Sequence, residues 1–502
     1  MRMENRELST ASGVSPLDAN GPGAQGRGMI FLPLRRACLL VAGLVFLTDF
    51  AAAQPAKAPF TREPQLRVTA DHRYLEFTDG RPFFYLGDTA WMLLARASRK
   101  ETDHYLANRA AKGFTVIQTV VLAPEGGLNV PNAEGDLPLV NGDLARPNER
   151  YFQHVDYVVQ RAGQLGLFVG LLPTWGQYWK QEGKQQPLIK ADNADAFGRF
   201  LGSRYRSQRV IWILGGDQDI TSPQERAVVD ALAHGLKEGD GGIHLITYHP
   251  RGPGFSSDSL PDSTWLDFHM VQSSHGAHDH DNGLFAEHDY ALTPPKPTLD
   301  GEPRYECMPV GFYYQDVSRL DRFDDYDVRQ AAYWSLLAGA CGHTYGNNNV
   351  WQCWQPGREP VLWANQAWQE ALETAGAFQM GYVRRLFESR PFTKLVPNQA
   401  MILDGPRNGG AKVRAASAND GSFAFIYSPR GESFTVDKRV LAAPRLREIW
   451  YDPRYCVAYD VHITSSRGIQ TYTPPTSGRG QDWLLIIEDV AKNFPLPGAA
   501  QK

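Results

Sequence analysis

The stretch Arg209-Val210-Ile211-Trp212-Ile213-Leu214-Gly215-Gly216-Asp217-Gln218 decides the reading of this chain. An apolar run rich in β-branched residues ends abruptly in two glycines and a carboxylate. That is the pattern of a strand buried on both faces, with an acid at its C-terminal tip. Further on, Lys296-Pro297-Thr298-Leu299-Asp300-Gly301-Glu302-Pro303 repeats the idea: a short strand, a glycine, then a carboxylate. Two acids at the ends of two parallel strands suit glycoside hydrolysis, one as proton donor and one as nucleophile or base.

Working outward, strand-like runs alternate with helix-like runs. Phe83–Leu86, Phe114–Val121, Leu167–Leu172, His244–Tyr248, Leu266–Val271 and Gly342–Tyr345 join Val210–Leu214 and Pro297–Leu299 as strand candidates. Between them, Tyr151, Val155, Val158, Ala162 and Leu165 form an apolar stripe at helical spacing. Ser222-Pro223-Gln224-Glu225 reads as a capping box with proline at the first helical position, opening a helix just after Asp217. A further helix runs from Asp327 to Ala340, ended by Gly342. Alternation of this kind predicts a (β/α)8 TIM barrel over residues 67–393. A doubly wound sheet is the alternative, but no glycine-rich dinucleotide loop follows the first strand. From residue 394 to 502 the pattern changes to short runs divided by turn signals such as Asn419-Asp420-Gly421 and Pro429-Arg430-Gly431. It predicts a small all-β sandwich.

Ahead of the barrel, Arg35 to Gln54 combines a basic start, an apolar core and an Ala-x-Ala site. It reads as a signal peptide cleaved after about Ala53, so residues 1–53 are extension and signal, and 54–66 a linker. Met29 is an alternative start. The expected location is exported, periplasmic or extracellular, with no membrane association after cleavage, since the apolar core is too short to span a bilayer. The formal net charge of -4 gives no basic patch for nucleic acid. Aromatic residues make up 11% of the chain, which suits sugar stacking but also a large core. Export permits disulfides, and Cys341–Cys353 is the pairing proximity suggests among Cys307, Cys341, Cys353 and Cys456.

In a barrel the active residues lie at the C-terminal ends of strands. Those ends offer Asp88, Thr174, Trp175, Asp217, Tyr248, His249, His269, Gln272, Glu302, Tyr345, Asn347 and Asn348. The loop His275-Gly276-Ala277-His278-Asp279-His280-Asp281 is dense in metal-ligand types but lacks helical HExxH spacing, so it reads as a polar loop with His275 turned to the site. Glu125-Gly126-Gly127 reads as a flexible loop without a role. No metal or cofactor is expected.

Several of these motifs together resemble the apiosidase-like glycoside hydrolases of family 140. They are Gly87-Asp88-Thr89-Ala90-Trp91, the Trp212–Asp217 run, Asp300-Gly301-Glu302-Pro303 through Glu306, and Arg329 to Trp334 through Gly346. The resemblance covers about residues 60–390, and the C-terminal part is similar to the collagen-binding-labelled domain that often follows that barrel. It implies Asp217 as acid/base and Glu302 as nucleophile of a retaining enzyme that removes terminal apiose-like sugars from plant polysaccharide side chains. A protonated Asp217 then needs burial or the Glu302 charge to raise its pKa. Glu302 needs hydrogen bonds to stay ionised, with Tyr248, Gln272 or Tyr345 as the expected donors. Asp88 and Trp351 are candidates for sugar hydroxyl binding and stacking, beside Trp175, His249, His269 and Asn347. The alternatives are a non-catalytic carbohydrate- or matrix-binding protein, and a metal-dependent hydrolase built on the His275–His280 loop.

Overall fold

The computed structural model describes residues 65–181, 186–465 and 468–498. The signal peptide expected over 1–53 and nearly all of the 54–66 linker lie outside the described residues. A small antiparallel sheet of Leu66–Val68, Leu75–Phe77 and Pro82–Phe83 comes first.

The central sheet has nine strands. In spatial order they are Ile246–His249, Val210–Gly215, Phe168–Thr174, Val116–Leu122, Tyr85–Thr89, Gly342–Tyr345, Thr298–Asp300, His269–Gln272 and Gly254–Phe255. All neighbours run parallel except the last, short strand. Each of the eight strand candidates overlaps one parallel strand. The sheet curls, but no strand ladder joins Ile246–His249 to His269–Gln272. At that seam Asp267 stands in. Its N–H donates to Ile246 O at 2.9 Å, and its carboxylate accepts the Ile246 N–H at 2.8 Å. The fold is therefore α/β around a curled, mostly parallel sheet, TIM-barrel-like rather than the uninterrupted eightfold barrel predicted.

Burial on both faces explains the continuous apolar runs: every residue of Val116–Leu122, Phe168–Thr174 and Val210–Gly215 is buried. The helix Glu149–Gln164 lays Tyr151, Val155, Val158 and Ala162 onto the sheet, and Asn148 accepts the Arg150 N–H at its start. Pro223–Asp240 starts on Ser222, which accepts the Glu225 N–H at 3.3 Å. The predicted capping box is only half formed there. Glu225 instead accepts from Thr221 N–H at 2.8 Å and from Lys180 at 2.9 Å, because a charged donor lies within reach. The helix Asp325–Leu337 ends before Gly339, whose φ of 107° suits glycine.

The C-terminal region forms two antiparallel sheets. Six strands run in the order Leu395–Pro397, Arg414–Ala418, Phe423–Ser428, Trp483–Asp489, Leu446–Asp452 and Val457–Thr464. Three more are Ile402–Asp404, Phe434–Asp437 and Ile469–Tyr472. Alternation in Phe423–Ser428 divides its side chains between two cores. Phe423, Phe425 and Tyr427 join the core of the α/β region, while Ala424 and Ile426 join the core with the three-stranded sheet. Tyr427 stacks on Tyr333 with centroids 4.8 Å apart, and Phe425 meets Phe387 at 5.4 Å. Two buried ion pairs cross the same contact: Arg329 grips Asp482 through bonds of 2.8 and 2.6 Å, and Arg390 meets Glu488 at 2.8 Å. Cys341 and Cys353 are free and buried in different core clusters, so nearness in sequence did not make the expected disulfide. Among the described residues no helix is long and apolar enough to cross a membrane.

Candidate active site

Asp217 follows its strand on a sharp turn. Gly215, Gly216 and Asp217 all have positive φ, of 90°, 83° and 60°. A Cβ on Gly215 would lie 2.2 Å from His249 O, and one on Gly216 would lie 2.9 Å from Gly176 N. Only glycine fits at either position, and aspartate is among the few residues that adopt the left-handed conformation at moderate cost. Four hydrogen bonds fix the turn. Trp179 Nε1 donates to Gly215 O at 2.7 Å, Gly176 N–H to Gly216 O at 2.9 Å, Tyr248 OH to Gln218 O at 2.5 Å, and Asp217 N–H to His249 Nδ1 at 3.2 Å. The Asp217 carboxylate itself has no hydrogen-bonded or ion-paired partner among the described residues. Burial, then the charge of Glu302, pushes its pKa up to about 6.

Glu302 lies beyond the Thr298–Asp300 strand, and Gly301 N–H donates to Val271 O at 2.8 Å. A Cβ on Gly301 would press on Met270 at 2.5 Å. Two imidazoles hold the carboxylate. His275 Nε2 donates to Oε1 at 3.1 Å. His249 Nε2 lies 3.0 Å from Oε2, in polar contact though off-line for a hydrogen bond. Because His249 Nδ1 accepts the Asp217 N–H, its ring proton sits on Nε2 and faces Glu302. Burial pushes the Glu302 pKa up, but the two histidines outweigh it and hold the group at about 2.

Both acids line one cavity of about 630 Å³. Of the other residues expected at the site, Trp175, Gln272, His275 and Trp351 also line it. His249 lies fully buried behind Glu302. The remaining seven take other places, Thr174 and Asn348 among them, which donate to the carbonyls of Trp175 and Leu362. Asp88 is buried, bonded by Arg109 Nε at 2.7 Å and by the Tyr105 hydroxyl. Tyr248 holds the Asp217 turn from below. Tyr345 OH donates to Glu306 at 2.5 Å. Asn347 donates to Thr374 Oγ1 at 3.3 Å and accepts the Asn349 N–H. His269 starts its strand at the opposite end from Gln272, beside Lys296 and His288, and burial lowers its pKa to about 4. So Glu302 takes its donors from histidines, and neither Tyr248 nor Tyr345 serves it.

The histidine loop does not converge on a point. His278 bonds Asp327 at 3.0 Å and Asp321 at 2.8 Å, Asp279 pairs with Arg430, and Asp281 with Arg414 and Lys412. Its acids fasten the loop to the C-terminal sheets, which leaves no shared ligand set for the metal reading. Glu125, given no role above, lines the cavity, as do Trp91, Arg251, Tyr305, Tyr313 and Tyr314. Trp91 and Tyr305 sit inside the quoted motifs, whereas nothing in the local sequence marks Arg251 or the tyrosine pair.

A family model for the apiosidase-like catalytic domain matches residues 69–394. The chain belongs to the apiosidase-like glycoside hydrolases. A second model, described as "putative collagen-binding domain of a collagenase", matches residues 396–488. Two solved structures are similar over most of the molecule. One, named only as a glycoside hydrolase, is 30% identical, with a TM-score of 0.77, over 85% of this chain and 97% of its own. The other is a family 5 glycoside hydrolase from Bacteroides vulgatus, 31% identical, with a TM-score of 0.78, over 86% of this chain and 96% of its own. Among curated proteins none matches the sequence. This apiosidase-like glycoside hydrolase therefore carries its two candidate acids in a fold like that of family 5, facing a cavity walled by Trp91, Trp175 and Trp351.

Proposed function

We propose that the protein is an exported, retaining exo-glycosidase that removes a terminal apiose-like sugar from plant polysaccharide side chains, with Glu302 as nucleophile and Asp217 as acid/base. The observation that carries this reading is the unequal treatment of two carboxylates on one cavity. Glu302 is held ionised by two imidazoles, while Asp217 is largely buried with no partner for its charge. Environments that push two acids apart assign their roles.

In the first step Glu302 attacks the anomeric carbon while Asp217 gives its proton to the glycosidic oxygen, and the leaving alcohol departs. In the second, water attacks the same carbon as the Asp217 carboxylate takes its proton, and the bond to Glu302 breaks. Two inversions give net retention. Trp91 and Trp351 line the cavity while only 3% and 7% exposed, and a buried aromatic wall beside the acids supports removal of a terminal sugar. Apiose comes from the family, and export from the Arg35–Gln54 leader.

The test is product stereochemistry by NMR at early times on an apiosyl glycoside. Retention is expected. An inverted first product would contradict the assignment of Glu302 as nucleophile.

A further inference from the structure

The mouth of the cavity carries a second aromatic wall that the paired acids do not explain. The turn Gly311–Tyr314 lies on the loop that holds His275. Gly311 N–H donates to His275 O at 2.8 Å, Tyr314 N–H to Gly311 O at 2.8 Å, and the Tyr313 hydroxyl bonds Ser274 Oγ at 2.7 Å. Two glycines permit this contact. A Cβ on Gly276 would lie 2.9 Å from the Tyr313 hydroxyl, and Gly311, at φ 60°, would place one 2.7 Å from the Tyr314 ring. Rings then run outward from the histidine: His275 to Phe312 at 5.9 Å, Phe312 to Tyr313 at 5.0 Å, and Tyr313 to Tyr314 at 4.6 Å.

Anchored as they are, Tyr313 and Tyr314 remain 47% and 58% exposed. Fixed aromatic faces open to water, on a cavity whose other aromatic lining, Trp91 and Trp351, is buried, are suited to the C–H face of a sugar ring. A sugar held between Asp217 and Glu302 occupies the buried part of this cavity, so its neighbour in the chain is directed toward the exposed tyrosines.

We propose that Tyr313 and Tyr314 form the subsite for the sugar ring on the leaving-group side of the scissile bond. Tyr314 supplies the stacking face. Tyr313 is a positioning residue that holds the platform through Ser274. The proposal rests on the glycosidase reading above. Because the same turn bonds the backbone of His275, a ring seated there also braces the group that holds Glu302.

The experiment compares two substrates on the full-length protein: an apiose-terminated pectic oligosaccharide and apiosyl fluoride, whose leaving group has no ring to stack. Tyr314→Ala should lower the ratio of kcat/KM on oligosaccharide to that on fluoride about tenfold, chiefly through KM, and Tyr314→Phe should restore it. An unchanged ratio would overturn the proposal. Calorimetric titration of Glu302→Gln protein with the oligosaccharide, with and without Tyr314→Ala, separates this from failure of the hydrolytic mechanism. A Kd weakened about tenfold supports the subsite whatever the mechanism, and an equal Kd overturns it.

Discussion

The strand ends at Asp217 and Glu302 look alike in sequence and treat a carboxylate in opposite ways. Each is an apolar strand, glycine and then an acid. At the first, two glycines and four hydrogen bonds fix the backbone, yet the carboxylate is left without a partner. At the second, His249 and His275 converge on the carboxylate from two other segments. Local sequence thus sets where an acid stands, while neighbours brought in by the fold set its charge. Burial alone raises both groups, and only the imidazoles reverse it at Glu302.

The comparison can be broken from either side, with effects of decreasing size. If Glu302 is the proposed nucleophile, Glu302→Gln replaces its carboxylate by a neutral amide and should cost about 10⁴-fold or more in kcat, measured on aryl and natural glycosides alike. Asp217→Asn should cost about 10²–10⁴-fold in kcat/KM on natural glycosides, and much less in kcat/KM on apiosyl fluoride, whose departure in the first step needs little protonation. The two shifts also fix the pH profile. Glu302 must be ionised and Asp217 protonated, so kcat/KM should hold between about 2 and about 6 and fall as pH rises through the Asp217 value. Asp217→Asn should erase that alkaline limb. His275→Ala deletes the bond to Glu302 Oε1, so the Glu302 pKa should rise and the acid limb of the profile should move upward. An acid limb that stays in place would show that His275 does not hold the nucleophile. Smallest for the chemistry is Asp482→Ala, remote from both strand ends. It removes the fully buried one of Arg329's two carboxylate partners and leaves only the more exposed Asp325, so thermal unfolding should show a loss of up to about 3 kcal/mol, while the pH profile keeps its shape.

The eight parallel strands were legible because burial on both faces makes each an unbroken apolar run with turn residues at its end. The positions of Asp217 and Glu302 were legible for the same reason. Period-two alternation could not say which strand-end side chains face the cavity. Asp88 and Tyr345 pair in register on adjacent strands, yet both turn into buried networks, with Arg109 and with Glu306. The histidine loop, read as a polar loop, left a metal open as an alternative because donor types are visible in sequence, whereas the partners that occupy its acids, Arg414, Lys412 and Arg430, lie over a hundred residues away. In the C-terminal region, Phe434–Asp437 and Val457–Thr464 were not read as strands. The second does alternate apolar and polar residues, but it is an edge strand that leaves Val457, Tyr459, Val461 and Ile463 open to solvent, so its apolar face does not mark a core.

The central claim is that Glu302, held ionised by two histidines, forms the bond to the sugar. Incubation with a slow 2-deoxy-2-fluoro apiosyl donor, followed by peptide mass mapping, tests it directly. The account predicts one added glycosyl group per chain, carried by the peptide containing Glu302 and absent from Glu302→Gln protein. A label on another carboxylate in wild-type protein would contradict it.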